Sequence, residues 1–258
     1  MTHVLSDVST MTTRGLRLVA RDTDAMITAV VLPVIILLMF VLVFGGALDT
    51  GTEYIDYVTP GVILLAAGFG AANTAMAVER DMSGGMVDRL RSMPVSAWTV
   101  LTGHVVASLV KNLATTAIVF GVSILLGFRP QATALEWLAA VGMILLFVGW
   151  ITWLATLVGV LVRSPDAAGG FSFFVMFLPY VSSAFVPVDT LPAWLRGFAE
   201  HQPVTPVIET VRGLLTGDVA GTPGLADPGG TAALAITWCV GLGLVFAVAA
   251  GLAFRARR

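Results

Sequence analysis

The sequence predicts an all-α membrane protein with six transmembrane helices, an N-terminal amphipathic interfacial helix, and a re-entrant helical pair before the last span. Three observations lead to this fold class. Hydrophobic residues make up 57% of the 258 residues and charged residues only 12%, whereas soluble domains average about 25% charged residues. Long stretches without any charged residue recur along the chain. A proline-rich segment, too polar to lie in lipid throughout, separates the last of these stretches from the others.

The six spans are read from the gaps between charged residues. Five gaps of 22 to 27 residues contain no charge, and a sixth apolar stretch contains only Lys111. Each is longer than the roughly 20 residues that cross about 30 Å of hydrocarbon as a helix. Lipid gives the backbone no hydrogen-bond partner, so the spans must be helical. The predicted spans are 25–46, 58–79, 98–126, 137–162, 167–187 and 231–254.

Basic residues predict the orientation in the membrane. With six spans and the N-terminus inside, the inner segments hold ten basic residues and the outer segments hold three. Basic residues concentrate on the cytoplasmic side of membrane proteins. We therefore expect a multi-pass protein of a bacterial plasma membrane with both termini in the cytoplasm.

Several classes of function are excluded by what the sequence lacks. A net charge of −2 does not suit a nucleic-acid binder that works through phosphate contacts. The single lysine, Lys111, is followed by Asn112, so these residues form no phosphate-binding Gly-x-x-x-x-Gly-Lys loop. The lone Cys239 and three scattered histidines do not predict a metal site. We expect no catalytic residue and no bound cofactor in this chain.

Two segments on the predicted cytoplasmic side are amphipathic. Over 10–24, Arg14, Arg17 and Arg21 lie at helical spacing with apolar residues opposite, which is typical of an interfacial helix. A basic flank that only sets the topology explains the same charges.

The second segment, 83–93, predicts a short helix that ends before Pro94, since proline breaks helices. Met86, Leu90 and Met93 form an apolar stripe along it. Such a stripe suits docking into a groove of another protein, and an ordinary loop is the alternative. The charged residues beside the stripe are Asp88, Arg89 and Arg91.

The outer loop, 188–230, has two short apolar stretches, around Leu195 and around Val211. Each is too short to span a bilayer, which favours a re-entrant or interfacial helical pair. The second stretch is expected to end at Gly217. Glu209 and Arg212 are three residues apart and can pair on one helix face.

Three polar residues inside the spans are candidates for a translocation path: Asn73, Lys111 and Asn112. A basic group inside a span suggests function. The alternative for Lys111 is that its long stem reaches the interface or pairs within the bundle. The two asparagines, like Thr115, also suit hydrogen bonding between helices.

Two motifs carry a resemblance to a known family. Glu79-Arg80 is followed by Gly84-Gly85 and then by the run from Arg89 to Ser96; Pro203-Val204-Thr205 is followed by Glu209 and Arg212-Gly213. In this order, on six spans, they resemble the membrane subunit of ABC-2 type exporters, in particular the daunorubicin-resistance-type permeases. The resemblance covers residues 10–254. The chain departs from the family pattern at Gly85, where threonine is usual, and at Gln202, where asparagine is common.

The resemblance implies a half-transporter. Two permease subunits, either two copies of this chain or this chain and a paralogue, form the path for an amphiphilic or hydrophobic drug, lipid or lipid-like metabolite. ATP and Mg are then bound by separate P-loop ATPase subunits. The implied ATPase-coupling residues are Glu79, Gly84, Met86, Asp88, Arg89, Leu90, Arg91 and Pro94. The implied extracellular gate comprises Pro203, Thr205, Glu209 and Arg212.

Two other functions remain open from the sequence. Export of a polysaccharide or glycolipid by the same architecture predicts an aromatic lining along the path, and the sequence does not place Trp150 or Phe171 on that lining. A membrane scaffold or regulatory subunit predicts action without ATP hydrolysis.

Overall fold

The computed structural model describes residues 13, 23–48, 50, 52–84, 97–217 and 227–257. Within them all regular structure is helical, which confirms the all-α prediction for this part of the chain. Eight α-helices, a π-helical extension of the first and one 3₁₀ turn follow in order. They are α1 (Thr23–Leu38) with the π-helical Met39–Phe44, α2 (Tyr54–Ser83), α3 (Ala97–Leu125), α4 (Ala134–Leu161), α5 (Pro165–Tyr180), the 3₁₀ turn Val188–Thr190, α6 (Ala193–His201), α7 (Val204–Thr216) and α8 (Pro228–Ala256).

Four of these helices, α2, α3, α4 and α8, are long and apolar enough to cross a membrane. Their lengths are 30, 29, 28 and 29 residues. At about 1.5 Å per residue each exceeds a hydrocarbon core of about 30 Å. Helices α1 and α5 have only 16 residues each, so the predicted count of six spans depends on these two shorter helices.

Side-chain caps define where several of the helices begin. Thr133 and Glu136 form a reciprocal capping box at the start of α4. Ser164 caps α5 by accepting the N–H of Ala167 at 3.2 Å. Each cap satisfies backbone donors that have no partner inside the helix. At the other end of α7, Gly217 has φ +75°, a left-handed conformation that glycine adopts without steric cost, and the predicted stop at this residue is confirmed.

Helix α5 ends earlier than the span predicted over 167–187. It ends at Tyr180, and the chain then turns through two serines. The Ser182 hydroxyl donates to the carbonyl of Pro179 at 2.5 Å and accepts the N–H of Ala184 at 3.1 Å. Local side-chain bonds of this kind compete with the helical ladder. Backbone N–H and C=O groups after Tyr180 therefore lack partners within the helix, and another part of the chain can bind them.

Helix α2 is the centre of the bundle and packs against α1, α3, α4, α5 and α7. Glycines permit these close approaches. A Cβ built at Gly61 would lie 2.6 Å from the carbonyl oxygen of Ala184, and one at Gly68 would lie 2.7 Å from Cγ1 of Val175. Small residues let helix backbones approach in lipid, where packing replaces the hydrophobic effect between helices.

Helix α8 lies at the edge of the bundle, mainly against α4. Leu244, Val245 and Val248 on it are 53–64% exposed. Helices α6 and α7, which we call the hairpin, follow each other closely in the chain and lie at one end of the bundle, the hairpin end. Tyr54 and the first residues of α4 and α8 lie at the same end. The loop end is the opposite one, where Arg257 donates to the carbonyl of Val162 at 2.9 Å.

Two glycines of α4 provide a matched test of the packing. A Cβ at Gly159 would lie 2.5 Å from the carbonyl oxygen of Ala75 on α2, whereas one at Gly149 would meet nothing within 4 Å. We expect Gly159→Ala to lower the free energy of unfolding by about 1–3 kcal/mol through overpacking. Gly149→Ala should raise it by up to about 1 kcal/mol, because alanine is the better helix former. Unfolding titrations in mixed detergent and SDS micelles measure both, and equal effects would contradict this packing.

Candidate functional site

The unwound end of α5 is held by side chains at the start of α7. The amide of Gln202 donates to the carbonyl of Val181 at 3.2 Å. The hydroxyl of Thr205 accepts the N–H of Ser183 at 3.4 Å. Gln202 and Thr205 are both buried. Buried backbone groups need such partners, so these two side chains stabilise the non-helical residues that follow α5.

Arg212 is the central residue of this region and is 1% exposed. Its Nη1 donates to Oε1 of Glu209, which is also fully buried, at 2.6 Å. Its Nη2 donates to the carbonyl of Ser183 at 2.8 Å. Nε and Nη2 both donate to the carbonyl of Tyr57, at 3.2 and 3.0 Å. The guanidinium also lies 3.9 Å from the centroid of the Tyr57 ring.

One arginine thus ties three elements together: α7, which carries it, the first turn of α2, and the unwound end of α5. Arginine suits this task because its planar fork donates in several fixed directions at once. Burying a charge is costly unless it is paired and hydrogen-bonded, and here Arg212 has both forms of compensation. The gate residues predicted from the sequence, Thr205, Glu209 and Arg212, therefore lie together at the hairpin end. Pro203 directly precedes α7 as its N-terminal flanking residue.

A second polar cluster joins α2, α3 and α4 inside the bundle. The hydroxyl of Thr74 donates to that of Ser108 at 2.8 Å, and Ser108 lies 3.5 Å from the hydroxyl of Thr152. Asn112 donates to the carbonyl and the hydroxyl of Ser108, at 3.0 and 3.2 Å. Asn112 is 1% exposed and packs on Gly70, where a Cβ would lie 2.0 Å from its Oδ1. Its contacts are those of a residue that joins helices.

The other two candidates for the path are less enclosed. Asn73 on α2 and Lys111 on α3 are both partly buried. Lys111 has an interaction partner in the structure. Their assignment to a translocation path remains a prediction.

At the loop end, the residues of the first motif are described only in part. Glu79 is fully buried, and neither of its carboxylate oxygens has a hydrogen-bond partner in the described part of the chain. Gly84 ends α2 by donating its N–H to the carbonyl of Arg80 at 2.9 Å. Nearby, His104 of α3 lies 3.1 Å from a carboxylate oxygen of Asp81. The remaining predicted coupling residues lie outside the described residues: Met86, Asp88, Arg89, Leu90, Arg91 and Pro94. The same is true of the interfacial-helix arginines Arg14, Arg17 and Arg21.

The described residues contain no group of three or more His, Cys, Asp or Glu side chains that could hold a metal ion. Cys239 is a buried free thiol.

Comparison with known proteins decides the family. A sequence model of the ABC-2 type transporter matches residues 6–216, which is most of the chain. The chain belongs to the ABC-2 type transporter family. The match includes both motifs, and it ends before α8.

Two relatives of this ABC-2 subunit are drug-resistance permeases. The chain is 30% identical over 235 residues to the daunorubicin resistance ABC transporter permease protein of Streptomyces coeruleorubidus, covering 90% of this chain and 79% of the relative. It is 26% identical over 238 residues to the probable doxorubicin resistance ABC transporter permease protein of Mycobacterium tuberculosis, covering 92% and 83%. The resemblance read from the two motifs is confirmed. This ABC-2 protein is accordingly a multi-pass membrane subunit of a transporter family in which ATP hydrolysis belongs to a separate subunit.

Sequence reasoning predicted the pairing of Arg212 with Glu209 but missed the backbone partners of Arg212 in this ABC-2 subunit. Tyr57 and Ser183 contribute backbone carbonyls, 155 and 29 residues away along the chain, and a carbonyl has no sequence signature. The Ser182-Ser183 pair could have indicated the end of α5, since serine competes with helical hydrogen bonds.

Proposed function

We propose that this chain is the permease subunit of an ATP-driven exporter. It forms the translocation path for an amphiphilic or hydrophobic substrate, such as a drug, a lipid or a lipid-like metabolite. The observation that carries the proposal is the likeness to drug-resistance permeases over nine-tenths of the chain. The buried polar cluster on α2, α3 and α4 agrees with it, because it consists of hydroxyl and amide groups. These neutral groups are not the carboxylate-rich set of ligands that Ca²⁺ or Mg²⁺ requires.

Six spans with cytoplasmic termini complete this proposal. Helix α1 and its π-helical extension together cover residues 23–44, about 33 Å at about 1.5 Å per residue, so this segment is long enough to cross. Helix α5 with the turn that follows would provide the remaining span. The hairpin end then faces outward and the loop end inward, as the distribution of basic residues requires.

The energy would be supplied by a separate P-loop ATPase that binds the cytoplasmic segment 83–93. Glu79 and Gly84 lie at the end of α2, directly before or at the start of this segment. A rigid α2 thus links the segment to the interior of the bundle and, through the carbonyl of Tyr57, to Arg212. In this mechanism closure of the ATPase pair shifts the two permease bundles against each other as rigid bodies. The Thr205–Glu209–Arg212 region keeps the hairpin attached to α2 and α5 during the shift.

Carbohydrate export, which predicts an aromatic lining, receives no support from Trp150 or Phe171. Trp150 is 3% exposed and packs in the core against Phe147 and Phe246, with ring centroids 5.5 and 6.4 Å away. Phe171 packs against the same core as a partly buried side chain.

Affinity purification of the tagged protein from native membranes in mild detergent tests the proposal. We expect a soluble P-loop ATPase to co-purify at about one per permease, and its recovery also shows whether the second permease is a copy or a paralogue. Recovery of this chain alone, in detergent that preserves another ABC transporter from the same membranes, would overturn the proposal and favour the scaffold function.

A further inference from the structure

A cavity of about 760 Å³ lies between α4, α7 and α8 at the hairpin end. Its volume falls within the range of about 300–1,000 Å³ typical of sites for small organic ligands. Of the predicted gate residues only Glu209 lines it, together with Gly213 of the second motif, and the buried polar cluster does not line it. Small residues on the three helices, such as Gly142, Gly213 and Ala232, leave the space that forms the cavity.

The cavity has the length of one membrane leaflet. On α4 it extends from Glu136 to Leu146, ten residues or about 15 Å along the helix axis. That distance is half of a hydrocarbon core of about 30 Å. Leu146 lies at the deep end, and Glu136 lies at the end of α4 where the helix begins. The α4 side of the cavity is therefore charged at Glu136 and apolar from Ala139 to Leu146, like a single-chain amphiphile.

The charge of the lining selects the ligand. The described residues that line the cavity include two carboxylates, Glu136 and Glu209, and no basic residue. Glu209 is bound to Arg212, which leaves Glu136 as the carboxylate available to a ligand.

Glu136 is positioned by its capping box. Its Oε2 accepts the backbone N–H of Thr133 at 2.7 Å and the hydroxyl of the same residue at 2.8 Å. Its Oε1 makes no hydrogen bond to a described residue. A carboxylate oxygen fixed in this way can accept a bond from a cationic donor, and a charge-assisted bond is about twice as strong as a neutral one.

We propose that this cavity is a binding site for an amine-bearing, single-chain amphiphile taken from the surrounding leaflet. The ammonium group binds Glu136, and the alkyl chain lies between α4 and α8 alongside Gly142. The site goes beyond the proposed function, because it requires neither the ATPase nor transport.

The test uses the full-length protein in phosphatidylcholine nanodiscs without ATPase or ATP, with tritiated dodecylamine as the probe and empty nanodiscs as the blank. We expect saturable binding in a scintillation proximity assay. Dodecanol, which has the same chain and no charge, should compete at least about tenfold more weakly, since about 1.4 kcal/mol corresponds to a factor of ten. Equal competition by dodecanol would overturn the proposal, as would the absence of saturable binding.

Three variants locate the site. Gly142→Phe should abolish binding by filling the cavity, because a Cβ at this position meets nothing within 4 Å and the ring can enter free space. Gly121→Phe on α3, where a Cβ also meets nothing, is the matched control and should bind as the unchanged protein does. Glu136→Gln should weaken dodecylamine binding to the level of dodecanol while preserving the helix cap, since glutamine also serves in a capping box.

Unchanged dodecylamine binding by Gly142→Phe or by Glu136→Gln would contradict the site. Because these measurements involve no ATPase, their failure would leave the proposed exporter function untouched. Conversely, the failure of an ATPase to co-purify would leave this site untouched.

Discussion

Replacing Arg212 with methionine is expected to lower the free energy of unfolding by about 3–5 kcal/mol, the usual cost of removing one partner from a buried ion pair. The substitution removes the guanidinium from the buried carboxylate of Glu209 and from the carbonyls of Tyr57 and Ser183. It thereby removes the hydrogen bonds by which Arg212 links α7 to α2 and to the end of α5. Unfolding titrations in mixed detergent and SDS micelles measure the loss, together with the yield of protein in the membrane.

Two further variants make this result specific. Arg196→Met on α6 is the control, because Arg196 is exposed and, among the described residues, its side chain donates only to the nearby carbonyl of Leu191 at 2.7 Å. We expect a change below about 1 kcal/mol. In the Arg212→Met background, Glu209→Gln should regain part of the loss, since it removes the stranded charge. If Arg212→Met were as stable as Arg196→Met, the proposed tie between the helices would be wrong.

Leu90→Glu is expected to reduce substrate-stimulated ATP hydrolysis by at least about tenfold. The sequence places Leu90 in the middle of the apolar stripe of the helix predicted over 83–93. A carboxylate there would have to be desolvated in the groove of the ATPase, which costs several kcal/mol without a partner. The measurement is the ATPase rate of the purified complex with and without substrate.

Ser92→Glu is the matched control for this prediction. Ser92 lies two residues further on, about 200° around a helix of 3.6 residues per turn, so the same charge should face away from the groove. We expect near-normal stimulation from Ser92→Glu. Loss of stimulation in both variants, or in neither, would show that segment 83–93 does not dock through the stripe of Met86, Leu90 and Met93.

The sequence predicts the long helices well because lipid allows few alternatives. A gap of more than 20 uncharged residues must be helical in a bilayer, and α2, α4 and α8 follow this rule. Helix α3 is equally long although its stretch contains Lys111. The same argument fails at the end of α5, where local bonds of Ser182 end the helix within an uncharged stretch. It also cannot reveal the π-helical Met39–Phe44, whose residues are as apolar as those of α1.

Of the interactions in the candidate site, the sequence predicts only the one between two side chains. The spacing of Glu209 and Arg212 indicates an i,i+3 pair, and the structure contains that pair. The other bonds of Arg212 go to backbone carbonyls on α2 and after α5, and no residue type marks a carbonyl as an acceptor. The cavity beside Gly142 was equally hidden, because it results from small side chains on three helices that meet only in the folded bundle.

The central claim is that this chain carries a substrate across the membrane with energy from a partner ATPase. The most direct measurement reconstitutes the permease with its co-purifying ATPase in proteoliposomes and follows uptake of rhodamine 6G, an amphiphilic dye, by complexes whose ATPase faces the bath. We predict uptake that requires ATP and Mg, and that falls to background with Leu90→Glu but not with Ser92→Glu. Uptake at the same rate without ATP, or ATP-driven uptake that Leu90→Glu leaves unchanged, would contradict the account.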